Sequence, residues 1–422
     1  MKRKRFIPII TIVIAFGSCT GAFAANKLCP VEKLGKFIFN DAHLSINHNQ
    51  SCASCHDLAW GGTNPDSNTN SEGAVHEGSF PDRFGNRKPP SVAYATPSPI
   101  LHRTTRDSGE FTGGLFWDGR ATGEKLANPA ADQAQGPFLN PVEQGLPDSA
   151  CVVYRVSVAS YAPLYEKIWS DNISSIAFPA DMASLCQQED ADIMLSSEDR
   201  AKVEMEFDNI ARAITAYENS PEVNRFRSKF DAGRCRRSGL TRVERKGLEL
   251  FQGKAQCANC HTSMGRNPAF TDFTYENLGV PQNPYNPVLL ADPNYVDLGL
   301  GGYLQKRGEP ASVYEPEIGK MKVPTLRNVD KRPCPDSVKA YTHNGYFKTL
   351  KGLVHFYNTR DVKPQCPGPY TEAEALAAEC WPAPEVVENM NTTMVGDLGL
   401  TDDEENAIVA FLKTLTDRSD EH

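Results

Sequence analysis

Apolar residues recur at helical spacing in two matching pairs of segments, one pair in each half of the chain. Short amphipathic helices are predicted at residues 34–39 and 246–251, and longer ones at 198–219 and 401–415. The buried stripes predicted for the long helices are Val203, Phe207, Ile210, Ala213, Ile214 and Tyr217, and Ile408, Phe411, Leu412 and Leu415. A Thr-x-x-Glu capping box begins the last helix at Thr401. The repetition predicts a mainly α-helical fold made by internal duplication.

One five-residue pattern, Cys-x-x-Cys-His, follows each short helix. It stands at residues 52–56 and again at 257–261, which is 257 − 52 = 205 positions later. This pattern attaches haem c, because the two thiols bond to the haem and the adjacent histidine is placed to ligate its iron. A zinc or redox site needs only the two cysteines and leaves the histidine unexplained. Two covalently bound haem c groups are therefore predicted, on Cys52, Cys55 and His56 and on Cys257, Cys260 and His261, with the two histidines as iron ligands.

The first 24 residues have the pattern of a cleaved secretory signal. Basic residues 2–5 precede an apolar run at 6–16, and residues 22–24 (Ala-Phe-Ala) form a small-residue cleavage site. Its removal takes away four positive charges and no negative ones, so the mature chain carries 40 − 53 = −13. That charge argues against nucleic acid and anionic membranes as partners. Because haem c is attached after export, a periplasmic location is predicted.

The organisation predicted from these features is a signal peptide followed by two domains. A cytochrome c-like domain is expected at residues 25–235 and another at 236–422, each with one haem, and the boundary lies in a polar segment. The 31 glycines and 30 prolines predict long loops that wrap around the cofactors.

Seven cysteines of the mature chain lie outside the haem motifs. They are Cys29, Cys151, Cys186, Cys235, Cys334, Cys366 and Cys380. Cys151 with Cys186 and Cys366 with Cys380 are the locally plausible disulfides, although sequence alone does not fix the connectivity.

The segment at residues 57–116 is rich in glycine, proline, asparagine and serine, which predicts loop rather than sheet. A long loop beside a cofactor is often a functional lid. His76 lies in this segment and has two interpretations. It is either a removable sixth ligand of the first haem or a surface histidine.

An amide and a carboxylate, Gln133 and Glu143, follow this loop. Cleavage of a peroxide O–O bond needs a base that takes the proton from the bound oxygen and returns it to the leaving one. Beside an open haem face, Glu143 fits that role and Gln133 can orient the peroxide. The alternative for Glu143 is an ordinary turn residue.

At this point the chain resembles the bacterial dihaem cytochrome c peroxidases and their MauG-type relatives, over residues 30 to 416. The markers are both Cys-x-x-Cys-His motifs, FWDGRA at 116–121, the Q-x-x-G-P…E spacing from Gln133, KVPTLRN at 322–328 and Y-x-H-N-G at 341–345. The resemblance implies a two-domain, mainly α-helical fold with a peroxidatic haem on His56 and an electron-transfer haem on His261. It also implies that Gln133 and Glu143 lie in the distal pocket of the first haem and that Trp117 lies between the haems.

The family pattern differs here at the distal ligand of the second haem. Peroxidases of this family carry a methionine after the Y-x-H-x-G stretch, whereas the aligned residue is Tyr357, as in MauG-type enzymes. A thioether stabilises ferrous iron, whereas a phenolate oxygen stabilises ferric and higher states. Tyr357 as a helix-core residue is one alternative. Other ligands that the sequence offers are Met264, Met321, Met390 and Met394.

A second departure concerns calcium. The family usually carries an asparagine that helps bind calcium between the domains, and this chain has Lys88 there. Because an ammonium group cannot coordinate a cation, Lys88 argues against calcium and would occupy its place electrostatically. Backbone carbonyls near Val338 and Ala340 would be the other ligands.

Three functions are therefore considered. The first is reduction of hydrogen peroxide to water with electrons from a small cytochrome c or cupredoxin. The second is a MauG-like oxidase that uses peroxide to oxidise tryptophan or tyrosine of a partner protein. The third is an electron-transfer dihaem cytochrome without catalysis, against which Gln133 and Glu143 argue. A homodimer is compatible with each of them.

Overall fold

The structure is a computed structural model that describes residues 27–104, 109–170, 172–235 and 239–418. The predicted signal peptide at residues 1–24 lies outside the described residues, as do the first residues of the predicted C-terminal domain, 236–238. The described chain is mainly helical with little sheet, as predicted. None of its helices is long and apolar enough to cross a membrane.

Sixteen α-helices lie within the described ranges. In chain order they are α1 (Pro30–Phe39), α2 (Cys52–Cys55), α3 (Ser67–Ser71), α4 (Pro129–Leu139), α5 (Ser149–Ser157), α6 (Ala162–Trp169), α7 (Met182–Leu185), α8 (Ser197–Glu218), α9 (Lys229–Cys235), α10 (Arg242–Gln252), α11 (Pro287–Ala291), α12 (Gly299–Arg307), α13 (Ala311–Tyr314), α14 (Leu350–Thr359), α15 (Glu372–Ala377) and α16 (Asp402–Lys413). Short 3₁₀ helices lie at Ala42–Leu44, Leu58–Trp60, Ile173–Ser175, Cys257–Asn259 and Glu315–Glu317. The strands of the same ranges form two antiparallel pairs, β1 (His102–Arg103) with β2 (Phe111–Thr112) and β3 (Tyr275–Glu276) with β4 (Met321–Lys322).

The N-terminal half is built on α1 packed against α8, and α4 and α5 also contact α8. The six stripe residues predicted for α8 are all buried, which confirms its predicted orientation. Ser196 caps the helix, because its hydroxyl oxygen accepts a hydrogen bond from the Asp199 N–H. At the crossing with α1, a Cβ on Gly35 would lie 1.9 Å from the carbonyl oxygen of Ala213. Glycine at this position is what lets the two helices approach so closely.

The C-terminal half repeats this arrangement with α10 packed against α16, and α14 contacts α16 as well. The predicted stripe of α16 is buried, and the predicted capping box at Thr401 is present. A Cβ on Gly247 of α10 would lie 1.9 Å from the carbonyl oxygen of Ala407. The same helix pair, with a glycine at the same kind of crossing, recurs in both halves and agrees with the predicted duplication.

Two disulfides join described residues, Cys151 with Cys186 and Cys366 with Cys380. Both pairings that the sequence left open are thereby confirmed. The first lies in the N-terminal hydrophobic core and the second in the C-terminal one. Disulfides are typical of proteins that fold outside the cytoplasm.

The long loop at residues 57–116 runs along the joint between the two halves. Its described residues, 57–104 and 109–116, are mostly irregular, as predicted, apart from a 3₁₀ turn, α3 and the short β1–β2 pair. The guanidinium of Arg87 donates two hydrogen bonds of 2.6 Å to the Asp297 carboxylate and also contacts Asp118 at 2.6 Å. The backbone N–H of Lys88 donates to the His343 carbonyl at 2.7 Å. These contacts hold the loop between the halves.

Candidate active site

The first Cys-x-x-Cys-His motif forms the single helical turn α2 and lines a cavity of about 1100 Å³, called the first cavity below. Cys52, Cys55 and His56 all contribute to its wall. The His56 Nδ1 lies 3.1 Å from the carbonyl oxygen of Gly62, so Nδ1 carries the proton and Nε2 is left as the free lone pair. Burial lowers the pKa of His56 to about 4, which keeps the imidazole neutral at pH 7.

The second motif begins in the 3₁₀ turn at Cys257–Asn259 and lines a cavity of about 1440 Å³, the second cavity. Cys257, Cys260 and His261 lie on its wall. The His261 Nδ1 lies 2.9 Å from the carbonyl oxygen of Phe270. The histidines of the two motifs are therefore oriented in the same way, each by a backbone carbonyl.

Both cavities fit a haem c group. The four motif cysteines are thiols rather than disulfides, and burial raises their pKa values. Each pair of thiols shares a cavity wall with an imidazole whose Nδ1 faces a backbone carbonyl, which leaves Nε2 as the nitrogen that could bind iron.

The structure brings the predicted residues Gln133, Glu143 and Trp117 to the wall of the first cavity. Gln133 lies on α4, and Glu143 lies in the turn that follows, where its N–H donates to the Asn140 carbonyl at 2.9 Å. Burial raises the pKa of Glu143, while the charge of Arg120 and a hydrogen bond with the Asn140 side chain oppose that rise. A carboxyl group with a raised pKa can exchange a proton closer to neutral pH than an exposed glutamate.

His76 lies on the wall of the first cavity as well. It is half-buried, and its Nδ1 is 3.0 Å from the carbonyl oxygen of Glu77. Its location on the wall and its partial exposure fit both interpretations, the resting ligand and the surface histidine. The ligand role itself stays a prediction.

Glu218 is a wall residue that the sequence reasoning missed. It is the last residue of α8, is 5% exposed, and its carboxylate has no hydrogen-bond partner among the described residues. Burial raises its pKa to about 8. The available signal was its position four residues after Ile214, which places a glutamate on the apolar stripe of the helix.

Of the five candidate ligands that the sequence suggests for the second haem, three lie on the wall of the second cavity. Tyr357 of α14 lies on the wall of the second cavity, and so do Met321 and Met394. Met390 is not among the wall residues, and Met264 is 81% exposed. Burial raises the pKa of Tyr357, so its phenol stays protonated at pH 7 unless a bound cation lowers the pKa.

Trp117 lies between the two cavities. It lines both of them, and also a smaller space of about 680 Å³ that His56, Gln133 and Glu218 share. Its Nε1–H donates to the Lys88 carbonyl at 2.8 Å, and its ring meets that of His343 edge-on at 6.4 Å. These contacts hold the indole in one orientation.

Lys88 is buried in the joint close to Trp117. Its Nζ donates to the Thr63 hydroxyl at 3.2 Å and to the Pro89 carbonyl at 3.0 Å, and burial lowers its pKa to about 8. The carbonyl of Val338 accepts a hydrogen bond from the Asn70 amide at 3.1 Å. The argument from Lys88 against calcium at this place stays a prediction, which metal analysis of the purified protein would check.

Comparison with known proteins places these features in a wider group. The sequence profile of the family described as di-haem cytochrome c peroxidase matches residues 30–236. Methylamine utilization protein MauG of Paracoccus denitrificans is 32% identical, over 97% of this chain and 94% of that protein. Cytochrome c551 peroxidase of Nitrosomonas europaea is 25% identical, over 83% of this chain and 84% of that protein. The crystal structure of the diheme peroxidase BthA from Burkholderia thailandensis superposes with a TM-score of 0.72 at 28% identity, covering 93% of this chain and 88% of that one.

Proposed function

Because the chain belongs to the di-haem cytochrome c peroxidase family, which includes MauG, we propose that it reduces hydrogen peroxide to water in the periplasm. The proposal rests on one observation above the others. Glu143 is held with a raised pKa on the wall of the cavity that His56 also lines. A carrier without catalysis has no use for a carboxyl and an amide in that position. The electrons come, in this proposal, from a small cytochrome or cupredoxin.

Cys52 and Cys55 attach the first haem and Cys257 and Cys260 the second, with His56 and His261 as iron ligands. When bound, the haem supplies an iron that binds peroxide and exchanges electrons. One cofactor then belongs to each of two cytochrome c-like domains, at residues 25–235 and 236–422. Export by a cleaved signal peptide at 1–24 completes the proposal, since attachment takes place outside the cytoplasm.

Glu143 and Gln133 handle the peroxide. The Glu143 carboxylate accepts the proton of one peroxide oxygen and returns it to the other, so that the leaving group departs as water. Gln133 orients the peroxide by hydrogen bonding through its side-chain amide. Both side chains are half-buried on the cavity wall, where hydrogen bonds to the peroxide are stronger than in bulk water.

The overall reaction consumes two electrons and two protons for each peroxide and yields two water molecules. Electrons enter, in this proposal, at the second cavity and reach the first. Trp117 is the residue placed to carry them, because its indole lines both cavities and is fixed by its hydrogen bond to the Lys88 carbonyl.

A MauG-like activity is the second candidate. Two observations favour it: 32% identity to MauG of Paracoccus denitrificans and the location of Tyr357 on the wall of the second cavity. A phenolate ligand would make the second haem a poor acceptor of electrons from a high-potential cytochrome. The substrate would then be a tryptophan or tyrosine of a partner protein.

Steady-state peroxide consumption by the purified holoprotein, with and without reduced cytochrome c, tests the proposal. Turnover that requires the reduced cytochrome supports the peroxidase. Peroxide consumption without it supports the MauG-like alternative, and no consumption in either case contradicts both. A near-infrared sulfur-to-iron charge-transfer band would show a methionine ligand and remove Tyr357 from the second haem.

A further inference from the structure

Lys339 is a buried lysine in the joint between the halves, and its side chain is saturated by backbone carbonyls. It is 5% exposed. Its Nζ donates to the carbonyl oxygens of Trp60 at 2.7 Å, Asn328 at 3.0 Å and Lys331 at 3.1 Å. The ion pairs of the described residues include none with Lys339. One nitrogen thus joins a loop of the N-terminal half to two carbonyls of the C-terminal half.

The carbonyl geometry favours the charged form of this lysine. Burial and the neighbouring cations Lys88 and Arg332 lower its pKa. Three acceptors within hydrogen-bonding distance, however, call for three N–H donors, which an ammonium group has and a neutral amine lacks. Carbonyl dipoles directed at the nitrogen stabilise the charge that burial penalises.

The carbonyl of Trp60 belongs to a short segment that also orients His56. We call residues 60–62 the ligand loop. The Gly62 carbonyl, two residues after Trp60, is the oxygen that lies 3.1 Å from the His56 Nδ1. The Gly61 carbonyl between them accepts a hydrogen bond from the Ser91 hydroxyl at 2.7 Å. The Gly62 carbonyl also accepts a hydrogen bond from the Val92 N–H at 3.0 Å. The Gly61 and Gly62 carbonyls are thus held by residues 91 and 92 of the N-terminal half, and the Trp60 carbonyl is held by Lys339 of the C-terminal half.

The backbone of the ligand loop lies very close to the C-terminal half at Gly61. Gly61 has a φ of +75°, in the left-handed region that favours glycine. A Cβ at this position would lie 2.8 Å from the Asn328 carbonyl oxygen and 3.2 Å from the Lys339 Nζ. A side chain on residue 61 would separate the loop from the C-terminal half.

We infer that Lys339 is a positioning residue for His56: its ammonium fixes the ligand loop to the C-terminal half and so holds the carbonyl that orients the imidazole. The inference rests on the proposed function, which assigns His56 to the iron of the first haem. In a metal-bound histidine, the hydrogen-bond partner of the ring nitrogen that does not bind the metal sets the orientation and basicity of the ring. A residue of the C-terminal half thus acts on the iron ligand of the N-terminal half.

The test replaces Lys339 with methionine, which keeps the length of the side chain and removes the donors. Lys348→Met is the matched control. The Lys348 Nζ also crosses the joint, donating to the carbonyls of Glu72 at 2.6 Å and Gly345 at 2.7 Å, but it does not touch the ligand loop. Both variants, as holoproteins with two haems, are compared with wild type by thermal unfolding and by the electron paramagnetic resonance g-values of each ferric haem.

Both variants should lower the Tm, whereas only Lys339→Met should shift the g-values of the first haem. Lys339→Ala in ammonium or methylammonium salts should recover them, because a small cation fits among the three carbonyls, and sodium salts of equal ionic strength should not. Unchanged g-values in Lys339→Met, or an equal shift in Lys348→Met, would overturn the inference.

Lys339→Arg carries the same test if Lys339→Met does not accumulate with both haems. A planar guanidinium cannot direct three donors around one point, so a smaller shift of the first-haem g-values is expected. An unchanged spectrum again overturns the inference. A wild-type protein without haem on Cys52 and Cys55 would instead overturn the proposed function and this inference together.

Discussion

The first and second cavities are alike in the helix crossing beside them and in the orientation of the motif histidine, and they differ in the side chains on the wall opposite the motif. In each half, a glycine-containing helix crosses a long helix at the same close distance, Gly35 at Ala213 and Gly247 at Ala407. In each, the motif histidine directs Nδ1 to a backbone carbonyl, at 3.1 Å and 2.9 Å. The walls opposite the motifs differ, because they are built from loops and helices that do not correspond between the two halves.

The first cavity is faced by an amide and by two carboxyl groups whose pKa values are raised by burial. Glu143 and Glu218 both have raised pKa values, and Gln133 lies with them. The wall of the second cavity carries Tyr357 and Met394, the candidate iron ligands, together with the carboxyl groups of Glu276, Asp297 and Glu385. In the proposed function, both cavities are cofactor sites with the same motif geometry, and the amide and carboxyl groups of the first assign the chemistry to it.

Removing one haem at a time is expected to have the largest effect. Cys52→Ser with Cys55→Ser should abolish peroxide turnover and leave the second haem attached. Cys257→Ser with Cys260→Ser should leave a first haem that still binds ligands but receives no electrons. Mass spectrometry of haem-bearing peptides, peroxide assays and ligand binding to the remaining haem check both. Ligand binding that is lost in the Cys257→Ser/Cys260→Ser variant and kept in the Cys52→Ser/Cys55→Ser variant would contradict the division of roles.

Glu143→Gln is expected to slow peroxide reduction by on the order of 10²-fold, with both haems attached, because the amide cannot take up the proton. The variant should also lose the acid limb of the pH–rate profile. In wild type, turnover falls as pH drops through the raised pKa of Glu143, because the protonated carboxyl group can no longer act as a base. Glu77→Gln is the matched control, since Glu77 lines the same cavity but its carboxylate accepts a hydrogen bond from the Asp82 N–H at 2.6 Å. A turnover of Glu143→Gln equal to that control would remove Glu143 from the mechanism.

Removing each disulfide in turn compares how much the two bridges contribute to the unfolding free energy. Replacing both cysteines of a pair by serine should cost about 2–4 kcal/mol of unfolding free energy. The pair Cys151–Cys186 spans 35 residues and Cys366–Cys380 spans 14, so the first should cost about 1 kcal/mol more by loop entropy. Chemical unfolding of the two double variants measures this, and the opposite order would show that strain or packing dominates.

Glu218→Gln is expected to change folding stability the least, and the size of the change depends on pH. The folded pKa of about 8 lies above the ordinary value for glutamate, so the folded state holds this proton more tightly than the unfolded state. The stabilisation from that proton is complete below pH 4 and is lost as pH rises through 8. The variant should therefore be more stable than wild type at pH 9 by on the order of 1 kcal/mol, and closer to it at pH 5. Equal Tm differences at both pH values would contradict the raised pKa.

Periodic features of the chain could be read from the sequence. The stripe of α8 and the capping box at Thr401 are local patterns, and the structure confirms both. The two Cys-x-x-Cys-His motifs are local patterns as well, and each lies on a cavity wall, while haem attachment to them stays a prediction. The family resemblance added Glu143 and Tyr357, which carry no local signal of their own. The location of both on cavity walls required the fold.

Other features depend on contacts between distant segments. Lys339 meets the carbonyl of Trp60 across 279 positions, and no spacing rule links the two. The exposure of Met264 likewise depends on which way a loop turns. The strands β1 and β2 are two residues long, too short for an alternating pattern to show.

Binding of an external ligand to each iron tests the central claim most directly. Cyanide titration of the oxidised holoprotein, followed by electron paramagnetic resonance, reports the two haems separately, and the two serine double variants assign the signals. We predict that the haem on Cys52 and Cys55 binds cyanide while the haem on Cys257 and Cys260 keeps its spectrum. Cyanide binding at the second haem alone would contradict the assignment of peroxide to the first cavity.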